Sequence, residues 1–137
     1  METRIKVSNR WGAGFVGAPV LPTEVRVEWG KAVATYDPRL GVADVEYESL
    51  WALCADHLLD PDGVIEELVV TRARQSAVEY VGQYHTAFCP SESTFDSTAW
   101  GVAVVHLGLH DNRLWPLFQR TLAEETERLA AERSPAA

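Results

Sequence analysis

The stretch DPDGVIEELVVTRARQSAVEYVGQYHTAF, residues 60–88, decides the fold class. Ile65, Leu68, Val69, Ala73, Ala77, Tyr80 and Tyr84 recur at three- and four-residue steps, the spacing of one face of an α-helix. Asp60 stands where a cap is needed, and Pro61 suits a first helical position, where no amide hydrogen is required. The pattern predicts a helix from Pro61 to about Phe88, stopped by Cys89 and Pro90, with Gly82 as its weakest point. At about 1.5 Å per residue it would be roughly 40 Å long. Arg72 interrupts the apolar stripe. It is expected to run its stem out to water or to pair with an acid from residues 41–70.

Upstream, the period changes. Val25–Trp29 and Ala32–Tyr36 alternate apolar and polar residues around Gly30 and Lys31, which predicts a β-hairpin with a two-residue turn. Ile5–Val7 reads as a further short strand, and Asp37 with Pro38 closes this part. Tyr47, Leu50, Trp51, Cys54 and Leu58 then fall at helical spacing, with Glu48 and Asp56 opposite. Downstream, residues 93–109 read as a helix behind the cap-like Ser93-Thr-Phe-Asp96, the alternative being a buried strand from Trp100 to Leu107. Asp111 or Asn112 can cap a last helix with Pro116 in its first turn, whose apolar face holds Leu114, Leu117, Phe118, Thr121, Leu122 and Leu129. The fold expected is α+β and mostly helical: an N-terminal β-hairpin followed by three or four packed helices. A single globular domain over residues 1–133 is expected, with a frayed tail at 134–137.

The chain has 137 residues, 47% of them hydrophobic and 23% charged, enough for a core without staples. Its 12 basic and 20 acidic residues give a net charge of −8, which argues against nucleic acid or an anionic membrane as partner. Residues Met1–Val7 lack the long apolar core expected of a secretory signal, and the longest apolar run, Ala99 to Val105, falls short of the roughly 20 residues of a spanning helix. With two cysteines, a soluble cytoplasmic protein is the expectation. The charge is concentrated: residues 41–70 carry Asp44, Glu46, Glu48, Asp56, Asp60, Asp62, Glu66 and Glu67 and no Lys or Arg. Capping explains the members near Pro61. Asp44, Glu46, Glu48 and Asp56 have no basic residue nearby in sequence.

Motifs of chemistry are few. Gly12, Gly14 and Gly17 match the glycine pattern of a dinucleotide-binding loop, but no buried strand precedes them, and Pro19 and Pro22 fall where its helix would run. A glycine-rich loop is the reading that remains. Asp60-Pro-Asp-Gly63 lacks the ligand frame of a Ca²⁺ loop. Three pairs have the helical spacing of metal ligands: Cys54 with His57, His85 with Cys89, and His106 with His110. Buried cysteine and core-edge histidine account for them as well, so no metal or other cofactor is expected. No nucleophile motif is present and no catalytic residue is assigned. Trp11 and Trp29 lie beside turns without an evident internal partner, the setting of interface anchors.

The expected function is a non-enzymatic, acidic protein–protein interaction module, an adaptor, inhibitor or assembly subunit. It would bind a partner with a basic surface, or a second copy of itself, through Asp44, Glu46, Glu48, Asp56, Trp11 and Trp29. One alternative is a small metal protein or enzyme using the Cys/His pairs. Another is a small-ligand binder with a pocket lined by Trp29, Tyr80, Tyr84 and Trp100.

Overall fold

The computed structural model describes residues 2–7, 22–89 and 93–133. Trp11, the glycine pattern at 12–17 and the C-terminal residues 134–137 lie outside these described residues. The elements are β1 (Thr3–Lys6), β2 (Glu24–Glu28), β3 (Lys31–Thr35), β4 (Val45–Tyr47), α1 (Leu50–His57), α2 (Pro61–Tyr84), α3 (Phe95–Leu107) and α4 (Trp115–Arg133). The fold is α+β and mostly helical, as the periodicities predict. No helix is long and apolar enough to cross a membrane among the described residues. The chain packs as two compact units, Met1–Leu68 with Val104–His110, and Val69–Ala103 with Asp111–Ala137.

In the first unit, the predicted hairpin is the centre of a four-stranded antiparallel sheet of order β1-β2-β3-β4. Its turn is Trp29-Gly30, one residue earlier than the Gly30-Lys31 pair expected, and Glu28 lies opposite Lys31. Both turn residues have positive φ, 53° for Trp29 and 78° for Gly30. A two-residue turn that matches the strand twist needs φ above zero at both central positions. With glycine available only for the second, Trp29 is held in the left-handed region, at the tip of the hairpin. β4 was missed because Val45–Tyr47 is short and acidic and its neighbours have helical spacing. It pairs with β3 in the register Ala32↔Tyr47, Val33↔Glu46 and Ala34↔Val45.

Alternation along the strands gives the sheet an apolar inner face, including Ile5, Val25, Val27, Ala32 and Ala34, all buried. α1 packs on β3 and β4. Ser49 caps α1, its side chain accepting the Ala52 amide. The buried face of α1 is Leu50, Leu53, Cys54 and His57, whereas Leu58 is exposed and ends the helix in a left-handed conformation. The expected stripe through Tyr47, Trp51 and Leu58 was therefore rotated. Tyr47 belongs to a strand, and His57 takes a core position.

α2 starts as expected, with Asp60 accepting the Asp62 amide through Oδ1 at 3.1 Å and the Val64 amide through its carbonyl at 3.2 Å. It stops at Tyr84, earlier than Phe88, because His85 turns to a φ of 59°. In the second unit, Val69, Ala73, Ala77, Tyr80 and Val81 are buried along its stripe, while Tyr84 is half exposed. Arg72 is only 5% exposed, with Nε and Nη1 buried, and the carboxylate that acts on it is that of Glu79, not an acid from residues 41–70. Residues 93–109 hold a helix, not a strand. The Ser93 hydroxyl accepts the Phe95 amide, and buried Asp96 accepts from the Gln119 side-chain amide at 2.8 Å. Asn112 does not cap α4 with its side chain. Its Oδ1 accepts the Trp100 indole N–H at 2.8 Å, and its carbonyl accepts the Trp115 amide. Tyr80 packs against Tyr84, Phe88 and Phe95. Phe118, Trp100 and Trp115 pack against one another as a triangle of rings.

Candidate functional site

The outer face of the sheet carries the most distinctive surface. Strand alternation sends Arg4, Arg26, Val33 and Glu46 outward. A depression of about 350 Å³ there is lined by Glu2, Arg26, Glu28, Trp29, Lys31, Val33 and Glu46. Trp29 forms its most exposed apolar wall, with 65% of its surface open.

Trp29 is exposed but tightly held. Its ring packs on His106 at 4.2 Å between centroids. The Gly30 amide donates to the His106 carbonyl at 2.9 Å. A Cβ on Gly108 would stand 3.0 Å from the Gly30 Cα, so the hairpin tip and the end of α3 meet backbone to backbone. Gly108 has a φ of 70° and ends α3, with its amide on the Val105 carbonyl. These contacts hold the indole in one stance, so its side-chain freedom is already restricted in the folded protein.

The acids that looked unaccompanied in sequence meet cations across the sheet. Asp44 accepts from Arg26 at 3.1 Å, and Glu46 lies 3.8 Å from Lys31. Exposed pairs of this kind contribute about 0–1 kcal/mol, so they neutralise the surface more than they stabilise it. Asp56 is not on this face. It sits on α1 and accepts the Tyr47 hydroxyl. Glu48 is exposed between β4 and α1. Strand alternation thus divides the four acids, leaving Asp44 and Glu46 with Trp29 on the outer face.

Beneath the inner face lies a polar cluster that the sequence did not reveal. His57 Nδ1 is 3.0 Å from the Leu53 carbonyl, which only accepts, so Nδ1 carries the hydrogen. Nε2 then accepts from the Tyr36 hydroxyl. Burial, and after it the Asp56 charge, raises the Tyr36 phenol above its ordinary value. Tyr47 is raised by burial, then by its hydrogen bond to Asp56. A raised folded-state value means that the stability these phenols hold is complete below their unfolded value of about 10. It is lost as pH climbs through the folded values. Urea unfolding at about pH 8 and about pH 10.5 is expected to show a fall in stability that Tyr47→Phe reduces. An identical fall in both proteins would remove the cluster as its source.

The metal-spaced pairs do not converge. Both His57 nitrogens are engaged, and burial pushes the neighbouring Cys54 thiol up to about 11, away from the thiolate that ligates or attacks. His85 and Cys89 lie beyond the end of α2, so they no longer share a helical face. Gly108 breaks the helix between His106 and His110, whose rings pack on Trp29 and Trp51 respectively. Among the described residues, no group of three or more His, Cys, Asp and Glu side chains is arranged to hold a metal ion. Comparison of the chain with known protein families, characterised proteins and solved structures gives no match.

Proposed function

We propose that this chain is a protein–protein interaction module whose contact surface is the outer sheet face around Trp29. The observation that carries this reading is a 65% exposed tryptophan held in a left-handed turn and braced by His106. Soluble proteins seldom spend structure on fixing a large aromatic ring in water, and tryptophan is a favoured hot-spot residue. The rim favours a basic partner. Three carboxylates, Glu2, Glu28 and Glu46, line the depression against two cations, Arg26 and Lys31. A lysine or arginine of the partner would lie on the indole face, where cation–π attraction adds to the carboxylate field. The acids then act chiefly on encounter rate and partner choice, the indole on residence time.

The test is affinity capture from the source cells with wild type and Trp29→Ala, both checked by circular dichroism. Truncating a hot-spot tryptophan removes about 2 kcal/mol or more, so the mutant is expected to bind its partner at least tenfold more weakly. A Glu46→Lys variant is expected to slow association and flatten its salt dependence. Retention of the same partners at the same affinity by Trp29→Ala would exclude this face.

A further inference from the structure

We infer that Arg72 anchors a binding site for a small anion bearing a carboxylate or phosphate group. The residue stands on the buried stripe of α2 beside Val69 and Ala73, both fully buried, at a position where leucine would complete the packing. It is 5% exposed, and its Nε and Nη1 atoms are buried without a hydrogen-bond partner among the described residues. Two other buried polar groups of the same unit are engaged. Asp96 accepts from Gln119 and from the Ser97 amide, and Thr126 accepts the Phe88 amide and donates to the Ala123 carbonyl. Arg26 also has a partnerless Nε, but that side chain is 28% exposed and its Nη2 bonds Asp44.

The missing acceptor is not supplied along the helix. The carboxylate acting on Arg72 is that of Glu79, exposed and two turns further on. Arginine does not escape by losing its proton, so the site holds a full positive charge with two buried donors open. Such a group is among the most destabilising a protein can bury, and an anion relieves both the charge and the donors. The guanidinium is planar, with Nε on one edge and Nη1 on the other. An anion with two or more oxygens, which carboxylate and phosphate both are, can take either edge, pairing Nε or Nη1 with the adjacent Nη2. Ser76, also buried, lies one turn along the same face and offers a hydroxyl.

The experiment uses the full chain. Thermal unfolding is followed with sodium phosphate or sodium malonate, against sodium chloride at equal ionic strength. Wild type is expected to show a saturable rise in Tm with one of the two anions, and the arm that responds names the class. Arg72→Met is expected to lose that rise while remaining at least as stable as wild type in chloride alone, because it removes a largely buried charge whose donors are open. A purely structural arginine would instead make this variant unstable in every salt. Arg72→Lys keeps the charge but not the fork, and is expected to weaken the anion at least tenfold. It carries the comparison should Arg72→Met fail to fold. No saturable rise in wild type, or unchanged affinity in Arg72→Lys, overturns the site.

Discussion

Phe118→Ala is expected to destabilise the protein by about 3–5 kcal/mol, the range for removing a fully buried aromatic ring. Phe118 is the largest fully buried side chain among the described residues, with no exposed surface. Its ring lies 5.3 Å from that of Trp100 and 6.4 Å from that of Trp115. The loss has two parts: the transfer of the ring atoms and the cavity left beside two indoles that already pack on each other. Trp100 is further tied by its N–H to Asn112, so it is poorly free to move. Urea unfolding followed by near-ultraviolet circular dichroism reads both the free energy and the loosened tryptophans. Phe118→Leu is expected to recover much of the loss, since it refills most of the volume. A cost below about 1 kcal/mol for the alanine variant would mean that this ring cluster is not a packed core.

Gly108→Ala is expected to cost about 2–5 kcal/mol and to weaken partner binding as well. Two effects add. A side chain in the left-handed region costs about 1–2 kcal/mol. The new Cβ would also stand 3.0 Å from the Gly30 Cα, a backbone atom that cannot turn aside. Gly41 separates the two effects. Its φ of 65° is nearly the same, but nothing lies within 4 Å of its would-be Cβ. Gly41→Ala is expected to show the dihedral cost alone, leaving the difference as the close-approach term. Because Gly30 adjoins Trp29, forcing the two backbones apart disturbs the stance of the indole. Partner affinity is therefore expected to fall in Gly108→Ala and not in Gly41→Ala. Equal stability losses in the two variants would show that the hairpin tip yields freely.

The helical part of the fold was legible because its signals are local. The stripe from Ile65 to Tyr80, the Asp60 cap and Pro61 state α2 without reference to the rest of the chain. The extent of α2 was less legible, because the apolar residues Tyr84 and Phe88 continue the spacing beyond the point where His85 turns. β4 was hidden for the opposite reason. Three residues carry too little alternation to be read, and Val45–Tyr47 becomes a strand only because β3 offers it an edge.

The candidate site was legible in part. Trp29 was marked as an anchor because it lies at a turn, but the turn itself was placed one residue late. Its positive φ follows from the Glu28↔Lys31 register, which is a property of the pair of strands. His57, which has the helical spacing of a metal ligand with Cys54, is a core group held by Tyr36 and Leu53. Its role depends on which face of α1 meets the sheet, and the mixed apolar residues Leu50, Trp51, Leu53, Cys54 and Leu58 left that face ambiguous.

By itself, the sequence determined the class of the protein, the positions of its long helices and hairpin, and the concentration of acid in residues 41–70. Those properties depend on periods of two and of three to four residues and on capping chemistry, all within a few positions along the chain. The tertiary structure decided which acids meet cations, that Trp29 faces water on a braced turn, and that Arg72 is buried with open donors. Each of these turns on a residue far away in sequence, or on the lack of one, and burial converts that neighbour into an energy. A carboxylate bonded to Arg26 and open donors on Arg72 read alike in one dimension, because the dielectric around a side chain is set by what folds over it.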